Sequence, residues 1–337
     1  MLSRVADALY WMSRYVERAE NVARFIDVNF HMILDGSTGQ GEDWNPLVYT
    51  TGDHDEFEKR YESPTREKVV HFLTFDLENS NSILSCVRSA RETARTIRDV
   101  ITSDMWEQMN SFYLMMNDPH AVHRAAESPY DFFSQVKQSS QSFVGITDLT
   151  LSHGEAWNFC RIGRLIERTD KITRLLDVKY YLLKTLNTTV PQDASQDAMQ
   201  WSAVLKSASA LEMYRKKHRK ICSEGVVEFL LTDTEFPRSA LYCLNSADEA
   251  LHAVTGTPRG SYKGAAEKEL GRLCAEIAYS DVAEILKSEL HVYLDSFQTR
   301  LNVIGDAIHE TFFSLKAAKT TTQTQSQTQT QSQTTLL

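Results

Sequence analysis

Several familiar signatures are missing from this 337-residue sequence, and each absence closes a class of function. There is no GxGxxG, P-loop, GxSxG or HExxH pattern, so the usual phosphate-binding folds, serine-hydrolase elbows and zinc-protease helices are excluded. No CxxC pair occurs. The five cysteines, Cys86, Cys160, Cys222, Cys243 and Cys274, are odd in number and widely scattered. They read as reduced thiols in a reducing compartment, packed as small apolar residues, rather than as a disulfide framework. No apolar run approaches the roughly 20 residues that span a bilayer, and Arg4, Asp7, Arg14, Glu17 and Arg18 interrupt the N-terminus too early for a signal peptide. A cytoplasmic location and no membrane partner are the expectation. Lys and Arg are interleaved with acids at a formal net charge of −9, leaving no basic tract to neutralise a nucleic-acid backbone.

What is present is helix. Gly and Pro number only 13 and 7, long stretches contain neither, and apolar residues recur at helical spacing. The pattern predicts an all-α, multi-helix bundle with helices over about 3–34, 80–102, 104–117, 127–149, 153–187, 198–231, 238–253, 262–280 and 281–316. Residues 1–316 form one helical domain in this reading, with halves of about 1–150 and 151–316. A surface connection covers 35–65, with a helical turn around Trp44 to Tyr49. The Thr/Gln/Ser-rich tail, 317–337, lacks the apolar surface to offset the entropy of ordering it and is expected to be disordered.

One segment recurs after 150 positions: RYVERAENVARFID at 14–27 and RLIERTDKITRLLD at 164–177. Five of the fourteen positions are identical, Arg14/Arg164, Glu17/Glu167, Arg18/Arg168, Arg24/Arg174 and Asp27/Asp177, and all five are charged. Glu20/Asp170 keeps its sign, while apolar pairs such as Val16/Ile166 and Val22/Ile172 drift. At 100° per residue the charges fall on one sector and Val16, Ala19, Val22, Ala23 and Ile26 on the opposite one, giving an amphipathic helix with a charge ladder. The fold therefore contains an internal pseudo-duplication of a charged helix. Three readings of its charges stay open: a solvated face, a buried ion network between the halves, or a ligand pocket with Arg as anion clamp and Glu as acid or base.

Other charges point the same way. CVRSARETARTIRD at 86–99 sets Arg88, Arg91, Arg95 and Arg98 on one stripe with Glu92 at its edge, an arrangement suited to phosphates, carboxylates or acidic partner helices. Arg238 stands at a predicted helix start where backbone N–H groups favour an anion. Glu249/His252 and Asp306/His309 have the spacing of metal ligands, but no further inward carboxylates are marked out, so no metal or cofactor is expected. The aromatic residues, among them Tyr10, Trp11, Trp106 and Trp157, sit at core-like spacing.

The stretches LYWMSRYVERAENVARFID, ARETARTIRDVITSDMWEQMN, FCRIGRLIERTDKITRLLD and EFLLTDTEFPRSALYCL, in that order across most of residues 1–315, resemble the bacterial alpha-E domain family. Members often carry Asn-Pro before the second stretch, where this chain has Asn79, Ser80, Asn81 and Ser82. The resemblance implies a helical domain with characteristic glutamates, here matched by Glu17, Glu20, Glu92, Glu107 and Glu167. It also implies a setting: such proteins are encoded beside or fused to circularly permuted ATP-grasp proteins, often near transglutaminase-like proteases, in predicted peptide- or amide-ligating systems.

The leading expectation is thus a helical component of such a system, binding an anionic small molecule or peptide. Its ligand contacts would be Arg14, Arg18, Glu20, Arg24, Arg88, Arg91, Glu92, Arg95, Arg164, Arg168, Asp170, Arg174 and Arg238. The rivals are an enzyme with Glu17 or Glu167 as general base, and a scaffold held by buried ion networks.

Overall fold

The computed structural model describes residues 1–34, 44–185, 194–287 and 289–314, all of whose regular elements are helices. The tail and residues 35–43 of the expected surface connection lie outside the described residues. Two long helices form the centre, α1 (Ser3–Leu34) and α9 (Glu155–Thr185), packed directly against each other. They come close enough at Gly163 that a Cβ there would collide with the carbonyl oxygen of Tyr10, so only glycine fits at that point. Close by, Ser13 reaches the Cys160 thiol, and Ala19, Ala23, Thr169 and Thr173 are fully buried. Small side chains let the helices meet closely enough for their charged residues to reach across.

Each long helix carries a similar retinue. Against α1 pack α5 (Ile83–Thr96) and α8 (Pro129–Thr150), with α6 (Ser103–Met116) bridging those two. Against α9 pack α13 (Ala240–Thr255) and α16 (Leu290–Ile308), bridged by α14 (Ala265–Ala278). The short helices cross over: α2 (Asn45–Thr51) packs on α9, whereas α10 (Ala194–Ser207) packs on α1. Around them lie α3 (His54–Glu58), α4 (Arg66–Thr74), α7 (Ala121–Glu127), α11 (Leu211–Lys217), α12 (Ser223–Thr232) and α15 (Val282–Lys287), and a π-helical turn, His309–Phe313, closes the described chain.

Four sequence expectations change, the first being the single helix over 281–316, which is α15 and α16 followed by the π-helical turn. Residues 44–58 are not a surface connection, because Trp44, Leu47, Val48 and Phe57 are buried in the core. The single helix expected over 198–231 is three, interrupted at Ser209, whose positive φ of 53° turns the chain between α10 and α11. Nor is α1 amphipathic in the ordinary sense. Its apolar sector is buried, and so are Glu17, Glu20, Arg24 and Asp27 on the other side. Among the described residues, no helix is long and apolar enough to cross a membrane.

Candidate functional site

Charged residues buried on α1 and α9 must find partners, since an unpaired buried ion costs several kcal/mol, on the order of the whole stability of a domain. They find them on each other. Arg168 of α9 grips Glu17 of α1 with Nε and Nη2 at 2.8 and 2.7 Å. Arg18 of α1 grips Glu167 of α9 with Nε at 2.7 Å and Nη2 at 3.1 Å. The dipeptide Glu-Arg occurs only at 17–18 and 167–168. Each Arg therefore serves the Glu of the other helix.

Further groups complete each side. Arg14 adds Nε and Nη2 to Glu167 at 2.8 and 2.7 Å, and Lys171 bridges Glu167 and Asp170 at 3.5 and 2.7 Å. Arg174 holds Asp170 at 3.0 Å. On the opposite side Arg24 binds Glu20 at 2.7 Å and the Ser207 carbonyl at 2.6 Å, which closes the end of α10. Arg238, directly before α13, pairs with Glu20 and lies 3.5 Å from Glu17. Asn21 donates to Glu17 at 2.8 Å, and Ser140 of α8 donates to Glu20 at 3.0 Å. Farther along, Asp27 meets Lys137 of α8 and Asp177 meets His291 of α16.

Burial alone would raise the carboxyl pKa values, but the neighbouring cations outweigh it. Arg168 keeps Glu17 below its ordinary value, Arg238 and Arg24 do so for Glu20, and Arg18 and Arg14 hold Glu167 far down. Lys171 and Arg174 bring Asp170 to about 2. Glu17 and Glu167 are thus held below the ordinary carboxyl range, buried and engaged by forked guanidinium groups. A general base needs a proton affinity near working pH and an approach for substrate. Burial and guanidinium pairing set Glu17 and Glu167 apart from that description.

Seven cations gather at the junction. Arg14, Arg18, Arg24, Arg168, Lys171, Arg174 and Arg238 surround four carboxylates, those of Glu17, Glu20, Glu167 and Asp170, in a protein whose net charge is −9. Burial, and then repulsion from Arg24, lowers Arg238 to about 10. Nη1 of Arg238 and Nε of Arg164 are buried without a hydrogen-bond partner. One side opens into a cleft of about 480 Å³, walled by Arg14, Arg18, Lys171 and Arg174 and roofed by Gly305, Asp306, His309 and Phe313. The corresponding space beside Arg164, bordered by Val144 and Trp157, measures only about 10 Å³.

The Arg stripe does not join this site. Helix α5 turns Cys86, Val87, Ala90 and Ala94 inward, leaving Arg88 and Arg95 exposed. Arg91 bonds Asn110 of α6 and Glu92, and Arg95 bonds Glu92. A stripe of like charges marks the face turned away from the core as readily as a binding face. The metal-like pairs also separate: Asp306 and His309 line the cleft, whereas Glu249 pairs with Arg161 and His252 with the Thr257 carbonyl.

Asn81 and Asp53 belong to the site, although the sequence marked neither as a ligand contact. Asn81 accepts from Arg18 at 2.9 Å and donates to Asp53 at 2.8 Å. A signal existed in a second recurrence, Asp-x-Glu-x-x-x-Ser-x-Leu-x-Cys, at 76–86 and 233–243. Its structural roles match: Ser82 caps α5 and Ser239 caps α13, Arg60 pairs with Asp76 and Lys217 with Asp233, and the Cys86 and Cys243 thiols point to the carbonyls of Ser80 and Pro237. In that alignment Asn81 stands opposite Arg238.

A predicted alpha-helical domain with a conserved ER motif, named Alpha-E, matches residues 1–313. The chain belongs to the Alpha-E family. Its two Glu-Arg dipeptides are the ones that exchange partners between α1 and α9. Uncharacterized proteins of Mycobacterium bovis and Mycobacterium tuberculosis are each 24% identical over 340 residues, an alignment that covers 93% of this Alpha-E chain. The same match accounts for only 37% of each relative, so the chain spans little more than a third of their length. No solved structure gives a significant match.

Proposed function

We propose that this Alpha-E chain is a binding component rather than the seat of the chemistry, and that the cleft over Arg14, Arg18, Lys171 and Arg174 takes a small anionic molecule or peptide group. The observation that carries this reading is the row of four cationic side chains, Arg14, Arg18, Lys171 and Arg174, along one wall of an open space of about 480 Å³. Arginine edges in a partly desolvated cleft attract carboxylates or phosphates far more strongly than they would in bulk water. Calorimetric titration of the full chain with glutarate tests it. One ligand per chain should bind, and Lys171→Met with Arg174→Met should abolish the heat; no binding by the folded wild type at millimolar glutarate sinks the reading.

The partner in this proposal is a circularly permuted ATP-grasp protein, with a transglutaminase-like protease as a second associate in a peptide- or amide-ligating system. The family resemblance alone supplies that setting; the relatives extend well beyond the matched region. Co-purification with the neighbouring ATP-grasp protein is the check. Absence of a complex at micromolar concentrations, with both proteins folded, would count against the partnership and leave the cleft untouched.

A second reading concerns architecture. The reciprocal Glu-Arg exchange and the matched packing of α1 and α9 support two duplicated halves, about 1–150 and 151–316, held together by a buried ion network. Such a lock is compatible with a ligand cleft on one of its sides.

A further inference from the structure

Asp53 occupies the position before α3 where an acid would normally cap the helix, yet its side chain makes no capping bond. The residue lines the cleft instead. Oδ1 accepts from Asn81 Nδ2 at 2.8 Å, and Asn81 is itself fixed by Arg18 Nη1 at 2.9 Å. Oδ2 is buried and has no hydrogen-bond partner, although the residue is only 8% exposed. A buried carboxylate oxygen without a donor is costly and rare. Gly52 beside it has φ of +80°, and a Cβ there would stand 3.2 Å from Arg174 Nη1, so the same turn admits a wall arginine and presents the acid.

The cavity therefore carries both signs, with Arg14, Arg18, Lys171 and Arg174 along its wall and the carboxylates of Asp53, Asp170 and Asp306 beside them, of which Asp170 is already paired with Lys171 and Arg174. A ligand with only negative groups would leave Asp53 Oδ2 unsatisfied, and one with only an amine would ignore the arginines. We infer that the cleft holds an ammonium subsite at Asp53 beside its carboxylate-binding arginines, so that its ligand is an amino acid or the end of a peptide. This rests on the anion-binding reading of the cleft. It also predicts a single site, because the space beside Arg164 holds only about 10 Å³.

The test uses three probes on the full chain: L-glutamate, L-alanyl-L-glutamate, and glutarate, which is glutamate without its ammonium group. At least one amino compound should bind about tenfold or more tighter than glutarate, the scale of a charge-assisted hydrogen bond. The tighter of the two identifies a free amino acid or a peptide end as the source. Asp53→Asn keeps the Oδ1 acceptor for Asn81, and should bring the ratio close to one without weakening glutarate. Equal binding of all three by the wild type overturns the ammonium subsite while the anion cleft stands. No binding of any probe overturns both. The wild-type comparison decides the matter even if the variant fails to fold.

Discussion

The two sides of the α1–α9 junction are built from nearly the same residues and end in opposite conditions. Around Glu17 and Glu20 the space is closed: Arg238 reaches in from the start of α13, Ser140 donates from α8, and the arginine of α1 seals the end of α10. Around Glu167 and Asp170 the shorter Asn81 stands where Arg238 does, and a cleft lined by Gly305 remains. The difference in closure goes with side-chain length at one aligned position, Asn81 against Arg238. Buried charge is used for locking on one side and left partly accessible on the other.

The strongest way to break the comparison is to part the helices. Gly163→Ala places a Cβ against the Tyr10 carbonyl and should cost about 3 kcal/mol or more, disturbing both sides together, as urea unfolding would measure. An unchanged midpoint would mean that the crossing is looser than described.

Next come the locks. Arg168→Met leaves Glu17 with Asn21 and a more distant Arg238, and should cost about 3 kcal/mol. Arg18→Met leaves Glu167 with Arg14 and Lys171, and should cost about half as much. Equal losses would mean that the sides are energetically alike. Adding Glu17→Gln to Arg168→Met should recover part of the loss, because the stranded charge is then removed.

Acid should sharpen the same contrast. Carboxyl values held below their unfolded ones contribute stability that is fully present above about pH 4.5 and lost as pH falls through the folded values, which for Asp170 means toward about 2. Thermal melts followed by circular dichroism should therefore stay level from pH 7 to about 5 and fall steeply toward pH 2. In Arg168→Met the decline should begin at higher pH, since Glu17 loses the cation that outweighs its burial. The shift should be smaller in Arg18→Met.

Gly305→Val gives the smallest stability change and isolates the cleft. Its Cβ would meet only Arg14 Nη1, at 3.9 Å, so stability should stay within about 0.5 kcal/mol while glutarate binding is lost. Retained binding would show that the ligand does not depend on the gap that Gly305 leaves.

Helix content was legible in the sequence because apolar spacing and the scarcity of Gly and Pro are local signals. The charges of α1 and α9 were legible as a recurring set, but not the exchange between them, which depends on how closely two helices distant in sequence approach. Trp44, Leu47 and Val48 were misplaced on the surface because Gly and acidic residues upstream dominate that stretch, while burial is decided by packing on α9. Asp53 escaped notice for a related reason. An acid before a short helix is ordinarily a cap, and only the cleft reveals that this one is turned elsewhere.

The exchange of Glu-Arg dipeptides has a consequence for assembly. On the proposed duplication, a chain of half this length would hold a glutamate and an arginine that cannot satisfy each other, and would bury them only by pairing with a second copy about a two-fold axis. Joining the copies in one chain replaces a contact that depends on concentration with one that does not. It also releases the halves from having to remain identical, so that one may keep its gap filled while the other is shaped around a guest.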